Sequence, residues 1–215
     1  MVDPCGASDA FLRTGTEAFT HQEAAFAEFT AAGFDRHAVD TVLLSHLDGI
    51  GMVAWATAEG WEPAFPNANV IVSKLERQSI RDYPDAPGAQ IFEKLDRAGV
   101  VQTVDLPHQL TEHITLTHTG VHSAGHLVAV LSSDSHQAAL LGHIAISPIH
   151  LHDQVPATAH IEPDNAPALI AEWIHFAATN DALLFGPLWP APGACLLYTS
   201  PSPRDATLSR MPSSA

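Results

Sequence analysis

The chain has 215 residues, and 46% of them are hydrophobic, which is enough for the core of one domain. Its formal net charge of −15 disfavours nucleic acid and anionic membranes as partners, because like charges repel. The sequence has no apolar run of about 18 residues that could span a membrane, and no signal peptide is recognisable at its start. Its two cysteines lie at opposite ends and predict no disulfide framework. We therefore expect a cytoplasmic protein without nucleic-acid or membrane partners.

Short apolar runs and helical spacings alternate irregularly along the chain, which is typical of a mixed α/β domain. Thr20 and Glu23 have the spacing of a helix-capping box, and Ser73 is placed to cap another helix. The stretches 56–68 and 147–159 show no periodicity, so we expect both to be irregular. The predicted helices cover residues 22–32, 74–82, 87–98 and 165–179, and the predicted strands cover 41–44, 69–72, 100–104, 113–118, 127–131, 138–141 and 182–185.

The last stretch, residues 196–215, differs in composition from the rest of the chain. It loses aliphatic periodicity and is rich in Ser, Pro and Thr, which predicts disorder. It also resembles translated adaptor sequence, so we interpret it as a non-native tail. The globular domain is then expected to comprise residues 1–195.

The first stretch with candidate site residues follows the predicted strand at 41–44. Ser45-His46-Leu47-Asp48 comes directly after this strand, and glycine-rich residues 49–51 follow. Folds of the α/β type bind ligands at such strand ends. A histidine close to an aspartate is, however, more often a hydrogen-bonded pair than a metal site.

A second stretch supplies further histidines. His122 and His126 lie in a glycine-containing turn, residues 119–126, that precedes an apolar strand. His143 follows Gly142 at the end of the next predicted strand. Neutral imidazoles presented from several strand ends are the kind of ligands that a zinc site uses.

Together these stretches resemble the metallo-β-lactamase superfamily, in particular its lactonase-like branch. The resemblance covers nearly the whole chain and implies an α/β fold, the αββα sandwich of that family. Family members normally carry further strands at both ends, so we expect a chain truncated at both termini. The matching segments are residues 2–6 (VDPCG), 45–51 (SHLDGIG, family motif THxHxDH), 61–68 (WEPAFPNA), 119–126 (TGVHSAGH, family motif TPGHTPGH) and 140–143 (LLGH, family motif LLGD).

The resemblance implies roles for four histidines. His46 matches the first histidine of the first motif, and His122 matches the ligand histidine of the TPGHTPGH motif. His126 matches a histidine that generally supports the ligands without binding metal itself. His143 stands where the family has an aspartate that bridges two metals, and a neutral imidazole has one lone pair and cannot bridge in that way. Leu188 replaces another ligand histidine, so the resemblance implies a degenerate active site.

Asp48 aligns with the first motif in two ways. Without a gap it falls on the motif's second histidine, and with a two-residue gap it falls on the motif's aspartate. In both alignments at least two ligands are absent. Asp48 could be a ligand or a general base, or it could cap the turn before Gly49. The side chains that we expect to converge at one end of the sheets are His46, Asp48, His122 and His143.

Large aromatic side chains could line an apolar substrate pocket, although such residues are first of all core or rim residues. The candidates are Trp55, Trp61, Phe65 and Trp189. No Ser-His-Asp nucleophile motif, phosphate-binding loop or dinucleotide-binding motif occurs, which excludes those classes.

Two functions fit these features. The first is a metal-dependent hydrolase that cleaves a small-molecule ester or lactone by means of a hydroxide bound to one zinc ion. His46, His122 and His143 would hold the zinc, and Asp48 would act as general base. The second is a non-catalytic relative that binds a ligand or a partner and needs no zinc. The replaced ligands favour the second function, whereas the retained histidines favour the first.

Overall fold

The computed structural model of the protein describes residues 1–4, 16–47, 53–57, 60–82, 89–187, 189–190 and 193–196. Of the predicted tail, only Leu196 lies within these ranges. No helix in the described ranges is long and apolar enough to cross a membrane.

The helices are α1 (Thr16–Ala31), α2 (Lys74–Asp82), α3 (Ala89–Arg97), α4 (Pro148–Asp153) and α5 (Ala166–Asn180). The strands are β1 (Thr41–Leu43), β2 (Ala54–Thr57), β3 (Gly60–Pro63), β4 (Asn69–Ser73), β5 (Val101–Val104), β6 (His108–Thr111), β7 (Ile114–His118), β8 (Leu127–Ser133), β9 (His136–Leu140), β10 (Leu183–Phe185) and β11 (Ala194–Leu196).

The strands form two main sheets and a separate hairpin. The first sheet is parallel, has the order β1-β4-β5, and aligns Thr41 with Asn69. The second sheet has the order β11-β10-β9-β8-β7-β6 and is antiparallel except where β10 runs parallel to β9. Strands β2 and β3 pair only with each other in the described part of the chain.

The first sheet is buried on both faces, and its sequence shows why. Strand β4 reads Asn-Val-Ile-Val-Ser, and its central Val-Ile-Val is an apolar run of the kind that parallel strands need because both of their faces are covered. Val70 and Val72 face a hydrophobic cluster that includes residues of α1 and α3. Ile71, on the opposite face, packs with Leu116 and Leu127 of the second sheet.

The second sheet is likewise covered on its outer face. Leu184 and Ala139 pack with Ile170 and Trp173 of α5, and Leu151 of α4 joins the same cluster. The molecule therefore has four layers, with helices outside and two facing sheets inside. This arrangement confirms the predicted αββα sandwich.

Four of the sequence predictions on local structure were wrong, and each error has a physical reason. Helix α1 begins at Thr16, because good helix formers such as Glu17 and Ala18 extend it before the supposed capping box. The hairpin β2–β3 and the helix α4 lie in stretches that were predicted to be irregular. Such elements, of four to six residues, are too short to show periodicity. Strand β11 follows β10, which was predicted to be the last strand.

Candidate metal site

Three polypeptide segments meet where the strands of both sheets end. The first histidine loop, residues 44–47, follows β1 and carries His46. The second histidine loop, residues 119–126, joins β7 to β8 and carries His122 and His126. His143 lies in a short 3-10 turn, Gly142–Ala145, after β9. A backbone hydrogen bond of 3.0 Å from Leu127 N–H to Ser45 C=O joins the two sheets at this place.

The imidazoles of His46, His122 and His143 form a compact cluster, called here the histidine triad. Their ring centroids are 4.8 Å apart for His46 and His122, 4.1 Å for His46 and His143, and 4.9 Å for His122 and His143. His46 and His122 are each only 3% exposed. One ligand nitrogen from each ring lies within 4.8 Å of the other two, so the histidine triad could hold a metal ion.

The spacing of two of these nitrogens fits one tetrahedral ion. His122 Nε2 and His143 Nδ1 are 3.3 Å apart. Two nitrogens that are each about 2.0–2.1 Å from a tetrahedral zinc ion lie about 3.3 Å from each other. Two nitrogens that bind the same zinc ion can be at most about 4.2 Å apart. The ligand nitrogens of the histidine triad lie within 4.8 Å of one another, so a pair at that limit would need side-chain movement on the order of 1 Å to bind one ion. The donor set of three imidazoles suits zinc and other transition metals.

Ser45 fixes the orientation of His46. Its hydroxyl Oγ shares a hydrogen bond of 2.7 Å with His46 Nδ1. Its backbone N–H donates to Asp3 Oδ1 at 2.7 Å, so the aspartate of the early VDPCG segment supports the first histidine loop. With Nδ1 engaged in this way, Nε2 is the nitrogen of His46 suited to bind a metal.

The backbone of His143 is held from both sides by histidines. His126 Nε2 accepts a hydrogen bond of 3.1 Å from His143 N–H, and His160 Nε2 donates to His143 C=O at 3.1 Å. His126 Nδ1 must then carry the proton, and it donates to Thr119 Oγ1 at 2.8 Å. The Thr119 hydroxyl in turn donates to His126 C=O. His126 thus contacts the backbone of His143, and its predicted role as a support for the metal ligands stays a prediction.

Burial keeps these supporting imidazoles neutral. Desolvation lowers the pKa of His126 well below its usual range, and the nearby His46 and His122 lower it further. Desolvation also lowers the pKa of His160. A neutral His126 retains the lone pair with which Nε2 accepts from His143.

Gly142 lets the chain pass closely between two of the supporting groups. Its φ of +54° lies in the left-handed region that favours glycine. A Cβ atom at this position would lie 2.6 Å from His126 Nε2 and 2.7 Å from Ser45 Oγ. The glycine before His143 therefore serves packing around the site as well as backbone conformation.

Sequence reasoning missed two buried residues at this site. His160 lies in an irregular stretch after α4, and its imidazole is 5.7 Å from that of His122, centroid to centroid. Glu76, on α2, accepts hydrogen bonds from both histidine loops. His160 belongs to no recognised motif, and Glu76 fits only the spacing of a helix-capping box with Ser73. The observed partners of both residues lie far away in the chain.

The remaining predicted site residues are not all brought together. Trp55 and Phe65 pack against Phe26 of α1, with Trp55 4.9 Å from Phe26 between ring centroids. Trp189 belongs to the cluster under α5, and its Nε1–H donates to Ala145 C=O at 2.8 Å. These aromatic rings thus lie in two different clusters, and their role in a substrate pocket stays a prediction. Asp48, Leu188 and the Trp61 side chain lie outside the described residues.

Comparison with known proteins identifies the fold. No protein-family model and no curated protein matches the sequence. Among solved structures, hydrolase AbOPH of the beta lactamase superfamily is 22% identical and matches with a TM-score of 0.73 over 93% of this chain and 71% of that chain. The dizinc quorum-quenching lactonase AidC, also 22% identical, matches with a TM-score of 0.63 over 81% and 66% of the two chains. A probable metal-dependent hydrolase from Staphylococcus aureus, 16% identical, matches with a TM-score of 0.65 over 74% and 58%.

This chain spans between 58% and 71% of the length of the three proteins. Identities of 16% to 22% show the fold alone. The layer order, the histidine loops at the strand ends and the structural matches agree with the resemblance seen in the sequence. The chain has the metallo-β-lactamase fold.

Proposed function

We propose that the protein is a metal-dependent hydrolase that cleaves an ester or a lactone with a single zinc ion. The observation that carries this proposal is the convergence of three imidazole ligands, those of the buried His46 and His122 and of the half-buried His143. The 3.3 Å separation between His122 Nε2 and His143 Nδ1 supports a shared tetrahedral ion. AidC, one of the structural matches, is a dizinc lactonase, and this supports ester or lactone chemistry as the first class to test.

A single ion fits the donors better than a pair of ions. Two-metal sites in this fold use a bridging carboxylate, and His143 occupies that place in the sequence pattern. An imidazole offers one lone pair to one metal. In the part of the chain that the structure describes, the histidine triad is the group of His, Cys, Asp and Glu side chains that could hold an ion.

Each residue of the site has its own role in the proposed hydrolysis. When bound, a zinc ion with three imidazole ligands polarises the substrate carbonyl and lowers the pKa of a coordinated water to about 7. Ser45 and His126 orient the histidine triad, and the burial of His46 and His122 limits their contact with bulk water. Asp48, two residues after His46, would accept the proton that the attacking water releases. The products are a carboxylate and an alcohol.

The alternative is a non-catalytic protein that uses the same fold to bind a ligand or a partner. The structural neighbours named above are described as hydrolases or as a lactonase, which does not favour this alternative. A compact, buried group of imidazoles is also costly to keep for packing alone, because each ring nitrogen needs a polar partner.

The test combines metal analysis with hydrolysis assays. Protein purified without chelator should contain about one zinc per chain and should hydrolyse members of a panel of aryl esters and lactones. The substitution His122→Ala should abolish both properties, whereas His136→Ala, at an exposed histidine of β9, should change neither. Substoichiometric metal together with background hydrolysis in the unmodified protein would favour the non-catalytic alternative.

A further inference from the structure

A buried carboxylate lies between the two histidine loops. Glu76, the third residue of α2, is 4% exposed. Its Oε1 accepts a hydrogen bond of 3.0 Å from Leu47 N–H, the residue after His46. Its Oε2 accepts from Gly125 N–H at 2.9 Å and from Ser123 Oγ at 2.7 Å. One oxygen thus binds the first histidine loop and the other binds the second.

The start of α2 makes a second, independent contact with the same loop. Ser73 Oγ accepts from Glu76 N–H at 3.0 Å, as an N-cap residue does, and donates to Gly125 C=O at 2.7 Å. A Cβ atom on Gly125 would lie only 2.1 Å from the Glu76 backbone nitrogen. The second histidine loop is therefore pressed against α2 so closely that only glycine fits.

The sequence spacing of these residues suggests a simpler role than the one observed. Ser73 and Glu76 have the spacing of a capping box, in which the glutamate returns to the start of its own helix. Here the Glu76 carboxylate extends away and accepts three hydrogen bonds from loops that are 29 to 49 residues distant in sequence. The pattern alone would not reveal this connection.

The charge of Glu76 also has no cationic partner in the described ranges, because the ion pairs found there involve other carboxylates. Burying an ionised carboxylate is costly, and hydrogen bonds from neutral donors recover only part of that cost. A cation at the neighbouring histidine triad would recover more of it, since three neutral imidazoles bring no negative charge to the metal.

We propose that Glu76 is a positioning residue for the metal site, an inference that rests on the proposed function. Through Leu47 and Gly125 it sets the separation of the loops that carry His46 and His122, and its negative charge favours a cation between them. Glu76 acts through the ligands and does not touch the metal. Its role is thus of the kind that partners of metal ligands have in other metalloproteins.

The variant Glu76→Gln tests this role with little change in size. The amide nitrogen of glutamine cannot accept a hydrogen bond, so one of the two loops loses its partner, and the charge is lost as well. We expect the zinc dissociation constant to rise by about 10- to 100-fold. In metal-free protein, the Leu47 or Gly125 amide should exchange faster with solvent, and the NMR signals of the His46 and His122 rings should shift.

A matched control separates this effect from general damage to α2. Asp96 of α3 binds Arg77 of α2 through both carboxylate oxygens at 2.6 Å, away from the histidine loops. The change Asp96→Asn removes a charge in the same way but should leave zinc affinity and the triad signals unchanged. If Glu76→Gln fails to fold by circular dichroism, Ser123→Ala carries the test, because it removes one of the three donors to the carboxylate.

The outcomes distinguish this inference from the proposed function. An unmodified protein that binds no zinc overturns the proposed function, while amide exchange and imidazole signals in metal-free protein still decide whether Glu76 positions the loops. Zinc binding that is equally tight in the unmodified protein and in Glu76→Gln, with unchanged imidazole signals, overturns the positioning role. Weaker binding in Glu76→Gln but not in Asp96→Asn supports it.

Discussion

At the scale of single residues, hydrogen bonds orient the histidine triad and the adjacent His126, and for His126 they determine which ring nitrogen carries the proton. The Thr119 hydroxyl donates to a carbonyl, so it must accept from His126 Nδ1–H, which leaves Nε2 of His126 to accept from His143 N–H. Ser45 engages His46 Nδ1 in a similar way. Such partners hold ligands in place before a metal arrives, which reduces the cost of organising the site.

Gly142 provides a prediction at this scale. The substitution Gly142→Ala forces a side chain into the left-handed region and into contact with His126 and Ser45. The backbone strain alone costs about 1–2 kcal/mol of unfolding free energy. Contact with His126 and Ser45 should add to this loss, and the displaced imidazoles should weaken metal binding. Urea denaturation and zinc titration measure the two effects.

Gly99→Ala is the control for that experiment. Gly99 has a φ of +75°, but a Cβ there meets nothing within 4 Å. The Gly99→Ala variant should therefore lose about 1 kcal/mol of unfolding free energy through backbone strain and keep its full metal affinity. Equal losses in both variants, with unchanged zinc binding, would show that the close approach at Gly142 is unimportant.

The sequence predicted the histidine triad, and the family resemblance implied a supporting role for His126, but the other supporting residues were not predicted. His46, His122 and His143 could be identified because they follow predicted strands and match a known pattern, and the structure brings them together. His160 and Glu76 could not, because their roles depend on partners that only the tertiary fold brings near. For Asp48 the convergence stays a prediction, since it lies outside the described residues.

At the scale of secondary-structure elements, the strand ends position the histidine triad, and the helices cover the outer faces of the sheets. Helix α5 covers the outer face of the six-stranded sheet with Ile170, which is fully buried, and with Trp173 and Ala177. Its apolar spacing made it predictable, and the observed bounds Ala166–Asn180 lie within one residue of the expected ones. The shortest elements, such as β11, have too few residues for a pattern.

The packing of α5 gives a prediction about stability. Ile170→Ala should lower the free energy of unfolding by about 2–5 kcal/mol, because it opens a cavity against the sheet. Ile149→Ala, at an exposed position of α4, should change it by no more than about 0.5 kcal/mol. Urea denaturation of both variants measures the difference, and similar losses would mean that α5 does not pack as described.

At the scale of the whole molecule, the sandwich explains why ligands far apart in sequence meet. The two sheets face each other through Leu43, Ile71 and Leu116, and the loops after their strands gather at one place. The layer order was predictable from the family resemblance. The parallel pairing of β9 with β10 was not, because it joins residues separated by α4 and α5 and no local pattern encodes such a pairing.

The measurement that tests the central claim most directly is zinc-edge X-ray absorption spectroscopy of the protein purified without chelator. The histidine triad predicts about one zinc per chain, with three imidazole nitrogens and one oxygen about 2.0–2.1 Å from the metal. A second metal about 3.5–4 Å from the first, or a zinc signal without imidazole scattering, would contradict the single-ion site at His46, His122 and His143.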